Sequence, residues 1–292
     1  MLIKIGQFDI TECWDGVFYK KLSQYPDITT WEIQTVLDFI KYEASNGRAC
    51  KIKAKPEIME RIESYRSVYE KGVRVSPPKK LEECTACPKY RGCMTDYVCH
   101  TTSVENAIKI LNTRKLLSPV LSRNISATEL TKEPRNAAND PEDYFHYIMF
   151  AWGNCQAGDR LVMERKLGRF PDDDDLSVHF MPGVRFYFRY SELTKHPNTT
   201  FEGVLPFKIR DEVVLEDWVC AIIVPNIYSD TLAPHIPEGL RSRVHYIDND
   251  SLDIWKWSEK AYEYVKSLCV TNSSTCSLDR KNTLTCSPAR EK

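Results

Sequence analysis

Four cysteines stand close together in the chain: Cys84, Cys87, Cys93 and Cys99. A Cys-x-x-Cys pair brings two thiolates to one metal, and two later cysteines can complete a tetrahedral zinc site. Four thiolates also suit an iron–sulfur cluster. Free or redox-active thiols are the third reading. Pro88 and Gly92 between them suit a tight knuckle. The chain has 11 cysteines in all. An odd count, with no apolar signal-peptide core at the N-terminus, argues against a disulfide framework and for a reducing, cytoplasmic setting. The other cysteines read as small buried residues.

A second set centres on His100 and on the acidic residues Glu212 and Glu216. In YVCHTTSVENAIKIL a short strand ends at His100, Thr101 and Thr102 form a turn, and Ser103 is a good N-cap for a following helix. A histidine held there, beside free backbone groups and hydroxyls, can grip a polar ligand. In IRDEVVLEDWVCAIIVP an acidic residue precedes β-formers. A fixed carboxylate in such a place can stabilise positive charge or align a nucleophile.

The elements that must position these residues are legible in outline. LIKIGQFDI reads as a strand. Thr29 with Glu32 forms a capping box, Trp31, Val36, Leu37, Ile40 and Ala44 recur at helical spacing, and Gly47 suits the C′ position. RACKIKAK alternates like a half-buried edge strand. Pro56 opens a second helix that Gly72 closes. VSPPKKLEE is a linker by composition, with a boundary near residue 76. Strands are expected at YVC, YFHYIMFAW, VRFYFRY, EGVLPFKI, EVVLE and WVCAIIVP, and helices at SVENAIKILNTRKLL, around AGDRLVMERKL, and at LDIWKWSEKAYEYVKSL. The Ser/Thr-rich residues 270–292 have little to bury and read as a disordered tail. The domain reading is therefore a small α/β region at 1–76, a cysteine knuckle and linker at 77–99, a main domain at 97–269, and the tail.

Lys and Arg number 40 against 41 Asp and Glu, giving a net charge of −1. That offers no global attraction to nucleic acid but allows a local basic surface. No apolar run approaches the ~18 residues that span a bilayer, so no membrane partner is expected. No Rossmann fingerprint or P-loop is present. The PDDDD run at 171–175 reads as a solvated loop, with a cation site the minor alternative.

The His100 element, His-x-Thr-Ser-x-Glu-Asn-Ala-x-x-Ile-Leu, resembles the first NAD-binding element of the ADP-ribosyltransferase superfamily. Its usual preceding aromatic is Cys99 here and its usual glycine is Thr101, a β-branched residue that needs a negative φ. The resemblance implies that His100 bonds the nicotinamide-side ribose, with Thr101 and Thr102 beside it. The stretch around Glu212 is similar to those carrying the catalytic glutamate in poly-ADP-ribose polymerases and in toxins that ADP-ribosylate DNA. Glu212 is thus the candidate catalytic residue, with Glu216 the alternative. By the same resemblance Trp152, near Phe150, or Tyr187 would stack on nicotinamide. Arg123 would bind the pyrophosphate, and Arg160 and Arg165 lie near the middle strand.

The implied fold is α+β, a split antiparallel β-sandwich around an NAD cleft. The implied function is transfer of ADP-ribose from NAD to a macromolecular acceptor, nucleic acid or protein, in a toxin or defence role. The resemblance covers roughly residues 97–230. A metal-stabilised, non-catalytic nucleic-acid-binding protein is the alternative from a different class. An RNA 2′-phosphotransferase would need a basic His/Arg-rich phosphate site that the sequence does not display.

Overall fold

The N-terminal strands leave alternate residues on opposite faces, and the helices that follow cover one of those faces. This arrangement is seen in the structure, a computed structural model that describes residues 1–9, 11–81, 92–134, 136 and 139–276, with side chains to residue 268. Strands β1 (Leu2–Gly6), β2 (Glu12–Trp14), β3 (Val17–Lys21) and β4 (Lys51–Lys53) form a sheet in the order β2-β3-β1-β4. β1 runs parallel to both β3 and β4, and β2 is antiparallel to β3. Helix α1 (Thr30–Ser45) begins at the Thr29–Glu32 capping box, and α2 (Pro56–Glu70) has Pro56 in its first turn. Both helices contribute to one cluster with Ile3, Ile5 and Phe18. β4 is the edge strand that its alternation requires.

The remaining strands are β5 (Lys80–Leu81), β6 (Cys93–Met94), β7 (Tyr97–Thr102), β8 (Lys115–Leu117), β9 (Tyr147–Met149), β10 (Ala151–Trp152), β11 (Val184–Arg189), β12 (Thr199–Thr200), β13 (Lys208–Arg210), β14 (Glu212–Val214), β15 (Val219–Pro225) and β16 (Val244–Ile247). They form a five-stranded sheet β10-β7-β11-β15-β16, a three-stranded sheet β12-β13-β9, and the pairs β14-β8 and β5-β6. Pairing is antiparallel except for β15 with β16. The architecture is α+β.

Period-two alternation along β7, β11 and β15 builds two cores. Val98, Phe186, Phe188, Ile222 and Val224 face Ile148, Ile209 and Val213 from the smaller sheets, with Ala107 and Leu111 of α3 (Val104–Thr113). Cys99, Tyr187, Ala221 and Ile223 face the opposite way. There they meet Trp255, Trp257, Ala261, Tyr262 and Val265 of the C-terminal helix, Ile254–Cys276. No helix among the described residues is long and apolar enough to cross a membrane.

Four elements differ from the sequence expectation. The helix in SVENAIKILNTRKLL stops at Thr113, because Arg114 takes the left-handed conformation at φ 56° and Leu116 is drawn into the core as part of β8. YFHYIMFAW is not one strand. A 3-10 turn covers Glu142–His146, and the chain then passes from β9 in one sheet to β10 in another. Phe150 sits at that crossing and packs its ring on Phe188 and Phe207. A chain that switches sheets makes a corner of this kind.

In EGVLPFKI only Lys208–Arg210 pairs as strand. Gly203, at φ +82°, lies so close to α1 that a Cβ there would stand 2.0 Å from the Thr35 carbonyl oxygen. The C-terminal helix runs to Cys276, into the segment expected as disordered. Extending an existing helix needs no new nucleus, which offsets the poor propensity of Ser and Thr. Residues 277–292 lie outside the described residues.

Candidate functional site at the seam between two sheets

His100 lies near the end of β7, paired with Phe186 in regular antiparallel register. Thr101, next to it, pairs with Arg185 and is ordinary extended strand, so its β-branch carries no strain. The half-buried His100 ring meets Phe150 edge to face at 6.3 Å. Its Nδ1 lies 3.2 Å from the Met149 carbonyl oxygen. A carbonyl can only accept, so this contact selects the tautomer with the proton on Nδ1 and leaves Nε2 as an acceptor. Burial pushes the imidazole below its ordinary pKa against that hydrogen bond, and the nearby Arg165 charge adds to the depression. The ring is a neutral acceptor near pH 7.

Met149 is paired with Lys208 at one end of the β9–β13 ladder, and Tyr147 is paired with Arg210 at the other. One residue pair, Ile209 with Ile148, lies between them, so the two ends are two strand steps or roughly 7 Å apart. Asp211 then bends the chain at φ 67°, a conformation Asp tolerates. Its N–H donates to the His146 carbonyl and its carbonyl accepts from the Ser118 N–H. Glu212 follows and opens β14 opposite Leu117 of β8. One short ladder thus connects the histidine's backbone partner to the glutamate. Lys115 Nζ donates to both Glu212 carboxylate oxygens at 2.9 Å. Glu216, the alternative, lies 3.4 Å from the Arg114 guanidinium.

Beside the His100 strand lies a cavity of about 440 Å³, lined by Ser103, Glu105 and Asn106 at the start of α3, by Arg165 and Lys166, and by Tyr228 among others. This is within the size range of small-molecule sites. Ser103 caps α3 by accepting from the Asn106 N–H, and the helix N-terminus favours negative charge. Arg165 and Lys166 come from helix α6 (Ala157–Leu167). Gly158 lets α6 approach β7 closely, since a Cβ there would stand 2.5 Å from the Thr101 Cβ.

The other expected site residues fall elsewhere. Tyr187 is fully buried, and its hydroxyl accepts from Arg185 at 3.1 Å. Trp152 is buried against Tyr190 and Trp31. Tyr187 presents no open face, and Trp152 reaches only a small cavity of about 60 Å³ shared with Trp31. Arg123, in a short helix α4 (Pro119–Arg123), is paired through both terminal nitrogens with Glu133, just past helix α5 (Ala127–Thr131). Thr102 is buried, and the Thr101 hydroxyl has no hydrogen-bond partner among the described residues.

Cys84 and Cys87 lie outside the described residues. Cys93 belongs to the core between the sheets, and Cys99 to the core under the C-terminal helix. Cys99 Sγ approaches the Trp152 carbonyl at 3.6 Å. Among the described residues no group of three or more His, Cys, Asp or Glu is placed to hold a metal ion. In the aspartate run, Asp175 accepts from Arg169 and from the Asp172 N–H, which accounts for it as a structural turn.

Sequence reading missed a polar cluster joining α1 to the ladder. Lys208 is fully buried with its amine 3.7, 3.5 and 4.6 Å from the ring centroids of Tyr42, Tyr144 and Tyr147, and no hydrogen-bond partner among the described residues. Glu202, also buried, accepts from the Tyr144 hydroxyl at 3.0 Å. Tyr42 and Arg48 both donate to Asp143, which ties the N-terminal unit to the body.

Burial pushes the Lys208 amine down to about 8, with Glu202 and Asp143 opposing the shift. The cost of burying the charged amine is fully present below about pH 8. Between there and 10.5 the unfolded chain holds the extra proton, so stability rises with pH. Lys208→Met is expected to abolish this rise, about 3 kcal/mol in all. Urea midpoints of both proteins at pH 7.5 and 10.5 measure it. An equal pH response in the two proteins would contradict it.

No protein family, no curated protein and no solved structure matches the chain.

Proposed function

We propose that the chain transfers ADP-ribose from NAD to a macromolecular acceptor, nucleic acid or protein, and releases nicotinamide. The observation that carries this reading is the seam itself. A neutral, oriented His100 stands at one end of the β9–β13 ladder and the Glu212 carboxylate stands beyond the other. A cavity lined by Arg165, Lys166 and Glu105 opens at Ser103, just past the strand that carries the histidine. In this reading the antiparallel sheets are an ADP-ribosyltransferase-like split sandwich.

Breaking the nicotinamide–ribose bond builds positive charge on the ribose, as in glycoside hydrolysis. The Glu212 carboxylate stabilises that charge and aligns the acceptor, while Lys115 holds its orientation. His100 Nε2 accepts a ribose hydroxyl. The α3 N-terminus with Arg165 and Lys166 takes the pyrophosphate. The neutral leaving base needs no strong acid. An odd number of cysteines suits a reducing, cytoplasmic setting for a toxin or defence protein.

The test is nicotinamide release from NAD by the purified protein, with NAD binding followed by calorimetry. His100→Ala is expected to raise KM for NAD roughly tenfold, the worth of one buried hydrogen bond. Neither turnover nor NAD binding in the wild type would overturn the reading.

A further inference from the structure

The N-terminal sheet buries one face only. Ile3, Ile5 and Phe18 point into the cluster made with α1 and α2. Strand alternation therefore turns Lys4, Tyr19, Lys21, Lys51, Lys53 and Trp14 to the opposite face. The register sets Lys4 between Tyr19 on one neighbouring strand and Lys53 on the other. Lys4 Nζ lies 4.9 Å from the Tyr19 ring centroid and 3.4 Å from its hydroxyl. Phe8 and Tyr19 meet edge to face at 5.5 Å.

Lys51 and Lys53 are exposed on the edge strand, and Trp14 is 48% exposed at the far side of the sheet. The acidic groups near this face include Glu12, paired opposite Tyr19, Asp9, whose carbonyl accepts from Lys21, and Asp15, in the turn that follows Trp14. In a chain of net charge −1 this is a local concentration of positive charge interleaved with aromatic rings.

We propose that this face binds single-stranded nucleic acid. The bases stack on Tyr19 and Trp14, and the phosphates follow the lysines across β1, β3 and β4. Flat rings offered on an open sheet can stack only on bases already free of a partner strand, because a duplex hides its base faces. Ring stacking is tolerant of sequence, so no fixed motif is expected. An acidic peptide would meet the same lysines but would gain nothing from the rings.

The test uses the full-length protein without NAD and a fluorescein-labelled 12-nucleotide oligo(dT), read by anisotropy. Saturable binding that weakens steeply with salt is expected, with a duplex of the same length and polyglutamate as poor competitors. Tyr19→Ala and Trp14→Ala should each weaken binding roughly tenfold. Tyr19→Phe, which keeps the ring, should retain it and shows that the sheet is intact. Lys51→Glu combined with Lys53→Glu should flatten the log–log salt dependence by about 0.7 for each lysine removed.

Absence of binding at low salt overturns the proposal. So does equal competition by duplex or polyglutamate, or wild-type affinity in both alanine variants. Binding is read without NAD, so its failure leaves the transferase reading separate.

Discussion

Glu212→Gln is expected to lower single-turnover nicotinamide release by roughly 10²–10⁴-fold while NAD affinity changes by less than about threefold. The substitution keeps the shape of the side chain and removes only its charge. In the ground state NAD carries no positive ribose, so a carboxylate contributes little to binding. Its contribution grows as the glycosidic bond lengthens, which places the loss on the rate rather than on affinity.

Glu212 and Lys115 are both part-exposed, so their ion pair contributes at most about 1 kcal/mol to folding. A loss of activity in the variant is therefore not a loss of fold, and a melting curve checks this. Glu216→Gln, beside Arg114, is expected to leave the rate within about threefold. Wild-type rates in Glu212→Gln, or a larger loss in Glu216→Gln, would move the catalytic role elsewhere.

Asp159→Asn is expected to cost about 3–5 kcal/mol of stability, the largest effect in the described core. Asp159 and Arg185 are both fully inaccessible. Asp159 accepts from Arg185 Nε at 2.8 Å, from Arg185 Nη2, and from the Gly183 N–H at 2.8 Å. Arg185 also donates to the Tyr187 hydroxyl and to the Cys155 carbonyl. A neutral amide leaves the guanidinium buried without its counter-charge. Because Arg185 pairs with Thr101 across β7 and β11, and Asp159 rides on α6, the same pair fixes α6 against the strand that carries His100.

Guanidinium chloride unfolding measures the loss. The double variant Asp159→Leu with Arg185→Met should recover a large part of it, since two apolar groups leave no orphaned charge. A loss under 1 kcal/mol in the single variant would show that the pair contributes little.

Local signals were legible wherever a few neighbouring residues decide the outcome. The Thr29–Glu32 capping box, the proline opening α2, the Ser103 cap and the strand in VRFYFRY all appear as read. Each depends on backbone geometry within a turn or two, or on a period set by the chain itself. The open edge at β4 was legible for the same reason.

What the sequence could not settle was partnership across distance. Nothing in YFHYIMFAW says that the chain changes sheets at Phe150, because strand propensity does not name the neighbour. Lys115 sat in a run that reads as helix, yet it is the group that holds Glu212. Tyr187 and Trp152 read equally well as stacking rings or as core, and only packing decided that both are buried. Lys208 read as one more strand residue, although the tyrosines around it come from α1, a 3-10 turn and β9.

The sequence by itself determined the capped helices, the open edge strand and which residue types could do chemistry. The tertiary structure alone decided which charges face which. Burial and ion pairing depend on residues far apart in the chain, and their energies exist only once those residues are brought together.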